Sequence, residues 1–140
     1  MREQYEAKVF YETYHERFAF SLPAGVEGWK QRARLRTLQN LLPSPAGKTL
    51  FVGCGNGMEM EFLGLPAVGI DIAQTAVQAA LQRCTDSTFA VADAHRLPFS
   101  DGSFEVVICS EVLEHLWEPE AALAEMVRVL SPWGMHHYHA

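Results

Sequence analysis

Three glycines alternate with Cys54 and Asn56 in Gly53-Cys54-Gly55-Asn56-Gly57, directly after the apolar run Thr49-Leu50-Phe51-Val52. Glycines at alternate positions permit a tight turn and present bare backbone, so that a ligand can approach with no Cβ in the way. The same turn also serves as a plain strand-to-helix connection. The dinucleotide fingerprint G-x-G-x-x-G needs glycine at position 58, where this chain has Met58, which argues against an NAD-dependent oxidoreductase. Asp71 ends the next apolar run, 14 residues after Gly57. A carboxylate there can accept both hydroxyls of a ribose if the two runs are neighbouring strands, or it can cap the helix that starts near Ala73. Asp93 follows a third run and is placed to accept from an adenine amino group. Ser110-Glu111-Val112-Leu113-Glu114-His115 follows a fourth. His115 is the general-base candidate, with capping or packing as its alternative.

The elements that must position these residues are legible from period and punctuation. Glu3–Phe18 reads as an aromatic-rich helix and Val26–Leu42 as a second, with an apolar stripe of Trp29, Ala33, Leu38, Leu41 and Leu42. Thr49–Gly53, Ala67–Asp71, Thr88–Ala92 and Phe104–Cys109 are short apolar runs bounded by turn residues, hence buried strands. Met58–Leu63, Gln74–Arg83 and Pro119–Leu130 read as helices, the last opened by Pro119 and stopped by Pro132 and Gly134. Strands alternating with helices predict an α/β fold, a doubly wound and mostly parallel sheet with right-handed crossovers.

The bulk properties bound the function class. The chain has 140 residues, 49% hydrophobic and 20% charged, which suits one globular domain with a core. Neither a membrane span nor an apolar leader is visible, and three widely spaced cysteines suit a cytosolic protein with reduced thiols. Residues 1–48 carry a net +3 and residues 49–140 a net −9, so the body disfavours a nucleic-acid groove. The basic run Lys30, Arg32, Arg34, Arg36 either touches an anionic ligand or forms a solvated helix face. His136, His137 and His139 form either a metal site in a dimer or a polar tail, and Tyr5, Tyr11 and Tyr14 either a lid or ordinary packing. Cys54 and Cys109 read as small core residues.

Taken in order, Val52-Gly-Cys-Gly-Asn-Gly57, Gly69-Ile-Asp71, Asp93, Leu97-Pro-Phe-x-Asp-x-Ser-Phe-Glu105, Leu113-Glu-His115 and Arg128-Val-Leu-Ser-Pro132 resemble the class I S-adenosylmethionine-dependent methyltransferases, in particular the branch acting on quinones, lipids and other small molecules. The similarity spans about residues 48–134. It implies a Rossmann-like sheet of order 3-2-1-4 and S-adenosylmethionine as cofactor. It also implies that Gly53, Cys54, Gly55, Asn56 and Gly57 pass the methionine part. By the same resemblance Asp71 with Ile72 holds the ribose, Asp93 and Ala94 sit at the adenine, and Ser110 and Glu111 lie beside the sulfonium. Residues 1–47 then form a helical segment on the substrate side, 48–134 the cofactor domain and 135–140 a His-rich tail.

Two residues depart from the family's pattern. Phe51 stands where an acidic side chain near the methionine amine is usual, a loss of about 1–3 kcal/mol of cofactor binding if unreplaced. Trp133 stands where glycine is usual. The family's sheet also has seven strands, order 3-2-1-4-5-7-6, whereas this sequence ends near where the fifth should begin. The expectation is therefore a truncated sheet whose Phe104–Cys109 strand is an exposed edge, open to pairing with a second copy. Beside methyl transfer to an unidentified small molecule stand a non-catalytic cofactor-binding or assembly module and an NAD-binding oxidoreductase fragment.

Overall fold

The computed structural model describes residues 25–43, 46–110, 112–132 and 136–139. The helix expected at 3–18 lies outside them. In chain order the elements are α1 (Gly25–Leu41), β1 (Thr49–Val52), α2 (Met58–Leu63), β2 (Val68–Asp71), α3 (Gln74–Arg83), β3 (Thr88–Val91), β4 (Val106–Cys109), a 3-10 turn at Leu113–His115, α4 (Pro119–Val129) and β5 (His136–His139). The expected helices at 58–63 and 74–83 match to the residue, and the others to within a residue at each end. The strands are shorter than the apolar runs that announced them, because turn geometry claims the terminal residues.

All the paired strands run parallel, in the order β3-β2-β1-β4-β5. The 3-2-1-4 core is the one expected. β1 and β4 are buried along their whole length, as strands covered on both faces must be, whereas β3 at one edge is part-exposed. One face is packed by Leu38 of α1, Met60 and Leu63 of α2 and Cys84 at the end of α3, around Phe51, Val106 and Ile108. The other is packed by Ala122, Met126 and Val129 of α4 around Leu50, Val52, Val107 and Cys109. Helices thus lie on both faces of the sheet.

Two expectations change. β4 is not an exposed edge: β5 pairs along it, Val106 with His136 through Cys109 with His139. Just before it, Phe104 bridges Leu130, with Phe104 N–H on Val129 O at 2.9 Å and Ser131 N–H on Phe104 O at 2.6 Å. The polar composition of 136–139 suggested a tail, but sheet pairing is made by the backbone, and the backbone groups of β4 need partners whatever side chains the neighbour carries. The proposed self-association through Phe104–Cys109 therefore loses its surface. The packed face of α1 also differs. Leu35 and Leu38 are fully buried, whereas Trp29 and Leu41, counted as core from their spacing, are 66% and 50% exposed. The buried stripe runs through 35, 38 and 42, which brings Gln31 and Arg34 toward the sheet.

Candidate active site at the carboxyl ends of the strands

The chain leaves β1 for β2 and β3 on one side, then returns to β4 and β5 on the other. The strand order reverses between β1 and β4, so their carboxyl ends diverge into the crevice where open α/β sheets bind ligands.

The turn after β1 is built around positive φ angles of 73° at Gly53, 55° at Gly55 and 81° at Gly57, a region costly for residues with a Cβ. Gly53 and Cys54 both donate to Ile70 O at 2.9 Å, which pins the turn against the end of β2. Asn56 Oδ1 accepts from Met58 N–H at 3.2 Å and sets the entry into α2. At two glycines the missing Cβ is used by the protein itself. A Cβ on Gly53 would lie 2.3 Å from Val112 Cγ2, and one on Gly57 would lie 3.2 Å from Ala80 of α3.

Asp71 is 8% exposed and faces this turn. Its Oδ2 accepts Gly55 N–H at 2.9 Å, and its Oδ1 accepts Ala73 N–H at 2.9 Å. Asp71 is not the N-cap of α3, which is Ala73, but it holds the N–H of that residue and clasps the glycine turn. A carboxylate offers about four acceptor sites, so these two bonds do not by themselves exhaust it. Ile72 is half-buried beside it.

Asp93 lies two residues past β3. Its Oδ1 accepts from His95 N at 2.9 Å and pairs with His95 Nδ1 at 2.7 Å. The His95 ring in turn stacks on Trp117, centroids 4.6 Å apart, so the segment after β3 meets the loop after β4. His95 Nε2 is buried with no hydrogen-bond partner among the described residues. Ala94 and Leu97 are buried in the core beneath. Arg128 of α4 holds this segment from behind, donating to Phe99 O at 2.8 Å, Leu97 O at 3.1 Å and Asp101 Oδ1 at 2.8 Å.

Ser110, just past β4, is 8% exposed and belongs to a polar cluster. Arg34 of α1 donates to Ser110 Oγ, to Gln31 Oε1 at 2.8 Å and to Glu59 Oε1 at 2.7 Å. Ser110 Oγ donates to Glu59 Oε1 at 3.2 Å. The structure thus divides the basic run: Lys30 and Arg36 are exposed, and Arg34 reaches the rim. Glu111 lies outside the described residues. His115 has a side chain 59% exposed with Glu114 Oε1 3.9 Å away, so it is not joined to this cluster by any described bond. Burial first and the nearby Asp71 second raise the Cys54 thiol well above its ordinary range. Burial, then Glu114, pushes Cys109 up to about 12. Both stay neutral thiols near pH 7.

Sequence reasoning missed Glu59, His95 and Trp117, and weighed Arg34 without placing it. The signal for Arg34 was available, since it adjoins Leu35 in the stripe 35, 38, 42 that the spacing allowed but did not single out. Glu59 meets Arg34 and Ser110, and His95 meets Trp117, only through tertiary structure.

The family described as "Methyltransferase domain" matches residues 50–137. This chain belongs to that family. It is 38% identical over 93 residues to the demethylmenaquinone methyltransferase of Renibacterium salmoninarum, covering 64% of this chain and 39% of that protein. It is 34% identical over 125 residues to the ubiquinone biosynthesis O-methyltransferase of Methylococcus capsulatus, covering 76% and 53%. The chain thus spans about half the length of these curated relatives or less. Among solved structures, the PH0226 protein of Pyrococcus horikoshii superposes with a TM-score of 0.73 at 27% identity, covering 91% of this chain and 65% of that one. The family carries the class I S-adenosylmethionine-dependent methyltransferase fold that the motifs resemble. The residues present fit an adenosyl group: the carboxylate of Asp71 lies against a turn of positive-φ glycines, and a second carboxylate, Asp93, lies one strand over. No helix among the described residues is long and apolar enough to cross a membrane, and no metal-binding cluster occurs among them.

Proposed function

We propose that this chain provides the cofactor site of an S-adenosylmethionine-dependent methyltransferase acting on a small molecule. The observation that carries the reading is Asp71, a buried carboxylate bonded to Gly55 N–H at the end of β2. An acceptor group is thereby fixed beside the crevice at the point of strand reversal. In this reading Asp71 and Ile72 receive the ribose, Asp93 and Ala94 the adenine, and Gly53 to Gly57 the methionine part. Ser110 and Glu111 stand beside the reacting end. When bound, S-adenosylmethionine supplies a methyl group already activated on a sulfonium. The protein's contribution is then in-line positioning and exclusion of water rather than acid–base chemistry. This agrees with thiols held neutral by burial and with an exposed His115, which serves as base only for an acceptor that must lose a proton. The acceptor class, a small molecule, is supported by the demethylmenaquinone and ubiquinone-biosynthesis methyltransferases among the relatives.

Calorimetric titration tests the reading. S-adenosylhomocysteine is expected to saturate a single site and to raise the unfolding temperature, whereas NADH gives neither effect. Absence of heat and of thermal shift at millimolar S-adenosylhomocysteine overturns it.

A further inference from the structure

α1 is apolar on two sides, and the fold accounts for one of them. Leu35, Leu38 and Leu42 pack against the sheet side. Val26, Trp29 and Ala33 follow one another at helical spacing, and at about 3.6 residues per turn they lie roughly opposite that stripe. Val26 is 72% and Trp29 66% exposed. A helix packed on one face needs only one apolar stripe, so the second is surplus to the fold. Cations border it. Lys30 lies on one flank and Arg36 on the other; both are exposed, and neither has an ion pair among the described residues. The helix carries Lys30, Arg32, Arg34 and Arg36 against Glu27 as its single acid. Residues 49–140, by contrast, carry a net −9. The bare aromatic side chain and the unpaired positive charge thus share one face of one element.

We propose that this outer face of α1 docks on an anionic lipid surface, with Trp29 and Val26 entering the interface and Lys30 and Arg36 meeting the headgroup phosphates. Indole suits that boundary, having an apolar body and a polar N–H, and cations beside it add attraction to negative lipids. A nucleic acid would use the cations but gain nothing from Val26, and its further phosphates would be repelled by the acidic body. A flat surface touched by one helix avoids that repulsion. α1 is about 10 Å across and holds the body about one Debye length, ~8 Å, from the lipid at physiological ionic strength. The helix lies along the surface and spans nothing. The docking face is separate from the cofactor site and stands or falls without it.

Co-sedimentation of the full chain with phosphatidylcholine vesicles, with and without phosphatidylglycerol, tests the proposal. Binding is expected only where phosphatidylglycerol is present, and added salt should release it. The double variant Lys30→Gln/Arg36→Gln is expected to weaken partitioning about tenfold or more, at about fivefold per cation. The charge-matched Lys48→Gln/Arg96→Gln, exposed elsewhere on the molecule, should stay within about twofold. Trp29→Ser should weaken it about tenfold, and brominated lipid should quench the parent's tryptophan emission far more than that variant's. Lys30, Arg36 and Trp29 are at the surface, so an unchanged unfolding temperature is expected to accompany each loss of binding. No partitioning into phosphatidylglycerol vesicles, equal losses for the two double variants, or equal quenching with and without Trp29 overturns the proposal. So does a dimer in sedimentation that Trp29→Ser dissolves, which assigns the face to a second copy. Retention of a single-stranded RNA that needs Lys30 and Arg36 but not Trp29 overturns it equally.

Discussion

Asp71 concentrates the site's dependence on single atoms. Its two oxygens accept from Gly55 and Ala73, so one side chain fixes both the glycine turn and the start of α3. Asp71→Asn keeps the shape but turns an N–H₂ toward one of those donors, stranding a buried amide. Chemical denaturation is expected to show a loss of about 1–3 kcal/mol, and S-adenosylhomocysteine binding to weaken further than stability alone explains. The buried thiols give a prediction in pH. Cys109 is held near 12 against an ordinary 9.0, chiefly by burial. A group whose pKa is raised on folding contributes fully below its unfolded value, and the contribution is lost as pH climbs toward the folded value. The parent should therefore lose stability between about pH 9 and 12 more steeply than Cys109→Ala, and Cys109 should resist a thiolate-trapping reagent at pH 8 until denaturant is added. Rapid labelling of native Cys109 would contradict this. At this scale the sequence disclosed residue types well. Gly53, Asp71 and Asp93 were legible because turn glycines and strand-end carboxylates have local signatures, whereas the His95–Trp117 stack joins segments 22 positions apart with no such mark.

Elements were read most accurately where the pattern was strongest. α2 and α3 match the expectation because each lies between a glycine or strand end and a clear stop. α1 was found in the right place with its face partly right, since Leu38 and Leu42 of the expected stripe pack against the sheet. Trp29 and Leu41 satisfied a helical period, but burial followed Leu35, Leu38 and Leu42, since the partner surface of Phe51, Met60 and Ile108 selects which stripe is covered. Periodicity reports that a face exists; the neighbouring element decides which. α4 couples to the site through Arg128, which spans from Glu125 to the carbonyls of Leu97 and Phe99. Arg128→Met removes those donors while keeping much of the apolar stem. Hydrogen exchange is expected to quicken in residues 97–101 with β1 and β4 unchanged; uniform quickening across the sheet would assign Arg128 to global stability instead.

For the molecule as a whole, the parallel, doubly wound sheet followed from the alternation of short apolar runs with helices, whereas its 3-2-1-4 order was what the family resemblance implied. The edge followed from neither. β5 carries three histidines and a tyrosine, a composition with no strand signature, yet it pairs with β4 through the backbone. Its pairing covers β4 and removes the surface expected for self-association. The acidic body and the crevice remain, and with them the central claim that the rim between the glycine turn and Asp71 seats an adenosyl group. A crystal of the chain soaked with S-adenosylhomocysteine tests that claim most directly. The account predicts ribose density within hydrogen-bond distance of Asp71, with the adenine toward Asp93. Density elsewhere on the surface, or a rim closed by the protein's own side chains at saturating ligand, would contradict it.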